Sequence, residues 1–234
     1  MVHGGTPQKA PNPRWAVPAF IAGTVIAAVA VTLVSWVLAG PPRDLVALLV
    51  LALVAVVSQV LRVTVLNRVS LAAGSIISLA ACVLVGPVGA ALIGALPMAA
   101  DPGLRRTSVR VFNTAMGALL GSICGLVYIW AGGATDLTTL NGAGDMLVHV
   151  GLPLMIADVV QSLGNFMLVG GVVWADQRIP YRPFVLQLLT TSGLAQIGYG
   201  VIGFLFVILW VPAQVGPFSA VLILLPLFVA RWAF

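Results

Sequence analysis

Glutamate is absent from the 234-residue chain, lysine occurs once, at Lys9, and charged residues of every kind make up only 7%. A soluble domain carries about 25% charged residues, so this chain has too few polar groups to cover a water-facing surface. A disordered chain needs high charge and few apolar residues and is excluded as well. Cysteine is nearly absent. Cys82 and Cys124 both lie within apolar runs, as expected of small packed hydrophobes and not of a disulfide or a metal pair. Histidine occurs twice, His3 in a polar N-terminal stretch and His149 at the end of an apolar one, so no metal site can be argued. No lysine sits in an apolar run, which excludes a Schiff-base chromophore of the rhodopsin kind. No Walker loop, no c-type haem motif and no G-x-S-x-G occur. No basic cluster is interleaved with exposed aromatics, so nucleic acid is not an expected partner. With no cofactor, metal or catalytic residue to name, the expectation is a protein that is not an enzyme.

What the chain does have is apolar: 61% of its residues. At about 20 residues per span, that is enough for about six membrane crossings. The expected fold is an all-α, polytopic transmembrane helical bundle of about six full spans plus a broken hairpin. It has a flexible tail at 1–14 and a single membrane domain from 15 to 234. The spans are expected at Trp15–Ala39, Leu45–Leu66, Val109–Ala131, Met146–Trp174, Phe184–Trp210 and Pro217–Ala230. The long span has a kink or tilt at Pro153. Between the second and third lies a thirty-residue apolar stretch, Leu71–Ala100, interrupted at Gly86-Pro87 and at Pro97. It is too long for one span and too short for two standard ones, and reads as a hairpin of two short helices, Leu71–Val85 and Val88–Ala99, spanning or re-entrant. Trp15, Trp130, Trp174, Trp210 and Trp232 fall at span ends, as an interfacial aromatic belt does.

Arginine and lysine concentrate in cytoplasmic loops. Lys9, Arg14, Arg62, Arg68, Arg105, Arg106, Arg110, Arg178, Arg182 and Arg231 all fall on one side if Leu71–Ala100 goes out and comes back. Arg43 falls on the other, beside Asp44. Both termini are then cytoplasmic, and the expected location is a bacterial plasma membrane, crossed several times.

The most costly residue is Asp158, a carboxyl inside an apolar span. Gln161, Ser162 and Asn165 follow at i+3, i+4 and i+7, all on one helical face. That face either binds a small ligand or ion, or ties helices together through internal hydrogen bonds. Arg110 is a candidate partner for Asp158 if their depths match. Asn113 and Gln196 are candidates to extend the same network, as are Gln59 and Arg62. Gly117, Gly121 and Gly125 form a G-x-x-x-G-x-x-x-G ridge, which permits close backbone approach. The helix it receives belongs either to this chain or to a second subunit. The break at Gly86-Pro87 and Gly89 has a similar packing reading, or lines a cavity.

Several stretches carry a likeness: Leu84-Val85-Gly86-Pro87, Val111-Phe112-Asn113-Thr114-Ala115, Gly125-Leu126-Val127-Tyr128, Ala131-Gly132-Gly133, Asn165 with the apolar run after it, and Leu225-Pro226-Leu227-Phe228-Val229-Ala230-Arg231. Over most of residues 45–234 the chain resembles the N-terminal integral-membrane region of actinobacterial HD-domain (HD-GYP-like) signalling phosphohydrolases. In that family the membrane region precedes a cytoplasmic phosphodiesterase domain with a His-Asp metal site. No His-Asp dipeptide occurs here, so the resemblance implies a sensory or anchoring module without the enzyme, coupled to a cytoplasmic signalling partner. Two other readings stand beside it. One is a small-molecule carrier, or a substrate-binding subunit similar to the S-components of vitamin importers. The other is a structural subunit of a larger membrane complex, docked through the glycine ridge. The lipid bilayer is the surrounding partner in all three.

Overall fold

The computed structural model describes residues 15–60, 63–65, 69–71, 74–211 and Gly216, with the side chains of 63–65, 69–71, 192 and 194–197 outside that description. The tail at 1–14, both termini and the expected span Pro217–Ala230 therefore lie outside the described residues.

The described chain is almost wholly helical. Helix α1 (Ala16–Ala39) is a run of Ala, Val, Leu and Ile that stops at Gly40-Pro41-Pro42. Helix α2 (Leu45–Val60) follows, capped by Asp44, whose Oδ1 accepts from Val46 N at 2.9 Å and Ala47 N at 3.0 Å. The helix ends at Val60, not at Leu66 as expected. The β-branched Val63, Thr64 and Val65 favour extended backbone and form β1 (Val63–Val65), which pairs antiparallel with β2 (Val69–Leu71). The first hairpin arm accordingly begins at Gly74, not Leu71. It is α3 (Gly74–Leu84), and α4 (Gly86–Ala100) is the second arm. The turn between them is made by Gly86 at φ 82°, a backbone that an L side chain resists. Pro87 then fills the first helical turn, where its missing N–H costs nothing.

Next come α5 (Thr107–Trp130), a short 3-10 turn at Leu137–Thr139 and α6 (Ala143–Met146). A π-helical turn, Leu147–Gly151, runs without a break into α7 (Leu152–Gln177). The irregularity expected at Pro153 is thus taken up by the turn just before it. Helix α8 (Tyr181–Trp210) completes the described part.

Among the described residues, three helices are long and apolar enough to cross a membrane: Ala16–Ala39, Thr107–Trp130 and Ala143–Gln177. Four shorter apolar helices, Leu45–Val60, Gly74–Leu84, Gly86–Ala100 and Gly198–Trp210, accompany them. At 1.5 Å per residue, α3 is about 16 Å long, and eight of its eleven residues are buried. Helix α1 has only three buried residues in twenty-four, all small: Thr24, Ala28 and Ser35. Thr24 and Ser35 turn their hydroxyls back to the Phe20 and Val31 carbonyls, at 2.9 and 2.8 Å, so its polar groups are satisfied within the helix. Its outward side chains Ile26, Val29, Leu33 and Val37 are all more than half exposed.

Helix α5 is the hub, against α4, α1, α7 and α3. Its glycine ridge lies along α4. A methyl group added at Gly117 would overlap the Gly94 carbonyl, one at Gly121 the Ala90 carbonyl, and one at Gly125 the backbone of Pro87. The ridge therefore receives a helix of this same chain. At one end of the bundle, Arg43 N donates to Val85 O at 3.3 Å and Arg43 Nη1 to Thr135 O at 3.4 Å. The α1–α2 connection, the α3–α4 turn and the loop after α5 thus meet at one end. The end of α2 and the end of α4 meet at the opposite end, where Gln59 Nε2 donates to Asp101 Oδ2 at 2.8 Å.

Candidate functional site

The polar face of α7 looks into a cavity of about 130 Å³ lined by six helices. Asp158, Gln161, Ser162 and Asn165 line it from α7, Asn113 from α5 and Gln59 from α2. Ser75 and Ser78 come from the start of α3, and Tyr199 from α8. Two of the elements are irregular here. Helix α3 begins at the cavity with Gly74, and α4 carries Pro97, whose ring removes a backbone hydrogen bond within the helix. Gly94 and Gly117 also border it, so the cavity opens where the close-packed α4–α5 seam ends.

Asp158 is 1% exposed. Its Oδ2 accepts the backbone N–H of Gly200 at 2.8 Å, and Ser162, one turn on, is a second hydrogen-bonding neighbour. Gly200 is a glycine for a steric reason as well: a Cβ there would strike Met155 and lie 2.9 Å from Asp158 Oδ2. Gln59 is oriented by its donation to Asp101, which leaves its Oε1 buried without a partner. Gln161 Oε1 is likewise buried and unpartnered. Asn113 spends its amide on the Val109 carbonyl at 2.9 Å. The lining therefore presents one carboxylate and two orphaned carboxamide oxygens, with hydroxyls around them and no Lys, Arg or His. Buried acceptors of this kind cost about 1–3 kcal/mol each when left unsatisfied. The arrangement selects for something that donates hydrogen bonds, and the carboxylate favours positive charge.

Four of the six sequence-predicted site residues, Asp158, Gln161, Asn165 and Asn113, come together in this cavity. Arg110 does not pair with Asp158. It sits in the first turn of α5, where its Nη2 donates to the Asp101 carbonyl at 3.2 Å, whereas Asp158 lies in the second turn of α7, near the middle of the continuous helical run Ala143–Gln177. The two differ in depth, which residue spacing does not encode. Gln196 is on α8, but its side chain lies outside the described residues, and so does Arg62. Gln59 does join the cavity. Asp101 was not anticipated. It is 4% exposed and holds Gln59 through Oδ2 and Gly103 N through Oδ1 at 2.7 Å. An aspartate just past a helix, followed by Pro-Gly, reads as an ordinary loop residue, and only its position against α2 makes it part of the site's support.

Among the described residues, no group of three or more His, Cys, Asp or Glu is placed to hold a metal ion. Cys82 and Cys124 are free, buried and adjacent, with Cys82 Sγ 3.3 Å from the Ser78 carbonyl. Gly198-Tyr199-Gly200-Val201-Ile202-Gly203 spells G-x-G-x-x-G. It lies inside α8 and not at a strand-to-helix turn, so it offers no phosphate-binding loop. His149 is exposed, and it is its carbonyl that takes part in structure, accepting from Ala134 N at 2.8 Å. Comparison of the chain with protein-family models, with curated proteins and with solved structures finds no match.

Proposed function

We propose that this is a non-enzymatic, multi-pass module of a bacterial plasma membrane. In this reading it binds a small hydrogen-bond-donating solute beside Asp158 and relays its occupancy to a cytoplasmic partner. The observation that carries the reading is the pair of buried, unpartnered acceptors, Gln59 Oε1 and Gln161 Oε1, on residues that line the same cavity as Asp158. Helix-to-helix glue would have paired them with each other or with backbone donors. The size of the cavity narrows the ligand. About 130 Å³ is the room of about four waters, well below the about 300–1,000 Å³ of pockets for drug-sized molecules. That suits a small amine or a partly hydrated monovalent cation and argues against a vitamin-sized substrate. Membrane placement is supported by the three long apolar helices and by the apolar outer side of α1. Arg105, Arg106 and Arg110, at the start of α5, lie at the opposite end of the bundle from Arg43. By the positive-inside tendency that end faces the cytoplasm. The sensory role rests on the resemblance to the membrane regions of HD-domain signalling phosphohydrolases.

A carrier is the second reading, favoured by the interrupted α3–α4 pair at the cavity, since broken helices at membrane depth mark many transport sites. One experiment addresses both. Methylammonium and sodium are titrated into the chain in phosphatidylcholine nanodiscs, read by tryptophan fluorescence, and methylammonium flux is followed in proteoliposomes. Saturable binding to the native chain, lost in Asp158→Asn with folding intact, supports the site. Binding without flux supports sensing, and flux supports a carrier. Equal binding by the native and Asp158→Asn chains overturns both.

A further inference from the structure

A second cavity is chemically unlike the first. It is a groove of about 570 Å³ between α1 and α5, walled by Val25, Val29 and Leu33 on one side and by Ala115 and Ala118 on the other. Val25 and Leu33 stand eight steps apart on α1, about 12 Å of helix. The two helices run parallel. Phe20 meets Phe112 with ring centroids 6.0 Å apart, and farther along Thr32 shares a 2.9 Å hydrogen bond with Ser122. Walls this apolar suit a hydrocarbon chain. One end is different: Arg110 and Thr114 line the groove there, and Arg110 Nε and Thr114 Oγ1 are both buried with no hydrogen-bond partner. One nitrogen of the guanidinium is committed to the Asp101 carbonyl. No carboxylate lines the groove. A cation with an unused donor, beside an unused hydroxyl, at the head of an apolar slot, is complementary to an amphiphile with an anionic head and an alkyl tail. Arg110 stands in the first turn of α5, the depth at which lipid headgroups lie if α5 crosses the bilayer. The slot runs from there toward the bilayer middle.

We propose that this groove holds one anionic phospholipid, its phosphate accepting from Arg110 Nε and Thr114 Oγ1 and one acyl chain lying between α1 and α5. The site is separate from the Asp158 cavity and stands or falls independently of it. A free phosphate has the head without the tail, so the test separates the two. The full chain, purified in a non-ionic detergent, is mixed with equimolar phosphatidylglycerol and phosphatidylcholine and examined by native mass spectrometry. One phosphatidylglycerol is expected to be retained per chain in preference to phosphatidylcholine, and glycerol 3-phosphate is expected neither to be retained nor to compete. Arg110→Gln should lower retention about tenfold, the value of a charge-assisted hydrogen bond. Because Arg110 also holds the Asp101 carbonyl, two further variants leave that contact alone. Thr114→Val removes only the hydroxyl, and Val29→Trp fills the slot from its open side, where Val29 is 56% exposed. Both should lower retention while thermal stability without added lipid is unchanged. Equal retention of the two lipids, undiminished retention in Val29→Trp, or displacement by glycerol 3-phosphate would overturn the proposal.

Discussion

Helix α5 presents small residues on two faces, and the two faces pack differently. Toward α4 it offers Gly117, Gly121 and Gly125, and the backbones touch. Toward α1 it offers Thr114, Ala118 and Ser122, also at four-residue spacing, and a groove of about 570 Å³ remains. The partner makes the difference. Helix α4 answers with Pro87, Ala90 and Gly94 along the seam, and there the backbones meet. Helix α1 meets it with Ala28 and Thr32, while Val25, Val29 and Leu33 line the groove beside them. A small-residue stripe on one helix permits close approach, and the matching stripe on the other completes it.

The largest expected effect tests that contrast. Gly121→Leu must displace the Ala90 carbonyl and should cost about 3 kcal/mol or more, the upper range for overpacking. Ala118→Leu, on the grooved face, should cost less than about 1 kcal/mol, since space is already there. Unfolding midpoints in mixed detergent micelles compare the two, and equal losses would dissolve the distinction between the faces. Next in size is Asp158→Ala, at the point where the tight seam opens into the polar cavity. It leaves the buried Gly200 N–H without its acceptor and should cost about 1–3 kcal/mol. Asp158→Asn keeps an acceptor oxygen and should cost less, by the same unfolding measurement. Smaller again is Thr32→Val, which removes the one hydrogen bond that pins α1 to α5 at the deep end of the groove. Hydrogen bonds between membrane helices average about 0.6 kcal/mol, and a larger loss would mean the grooved face depends on that pin more than the contrast implies.

The smallest effect lies outside both faces, in the loop after α5. The hydroxyl and amide of Thr138 hold the Asp136 carboxyl below its ordinary range. Thr138→Val should raise it toward the ordinary value of about 3.9, as read by an NMR titration. A depressed folded-state pKa stabilises the turn above the unfolded value, and that contribution is lost as pH falls through the folded one. Acid should therefore loosen this loop in the native chain, and the variant, which keeps the Thr138 amide, should show a smaller response.

How much of this was legible in the sequence depended on whether the needed information was local. The glycine ridge and the α7 polar face are local, since helical periodicity alone aligns Gly117 with Gly125 and Asp158 with Gln161 and Asn165. The turn at Gly86-Pro87 was legible because glycine and proline mark a break by their own backbone preferences. The end of α2 was misplaced because hydropathy continues through Val63, Thr64 and Val65 while β-branching favours an extended chain there. Depth and handedness between helices were out of reach. They separate Arg110 from Asp158, and they bring Asp101 to Gln59 across forty-two positions of sequence.

The wide turn at Leu147–Gly151 sets the phase of everything on either side of it. By looping out of α-helical register it frees the His149 carbonyl, which accepts Ala134 N at 2.8 Å and lies 3.4 Å from the Tyr128 hydroxyl. That hydroxyl, in turn, donates to Ala134 O at 2.7 Å. The extra residue is thus a socket for the loop, and excising one residue here would rotate α6 by about 100° relative to α7. The loop would lose its anchor while the Asp158 face kept its aim, so the outer end of this helix and its buried middle are free to change separately.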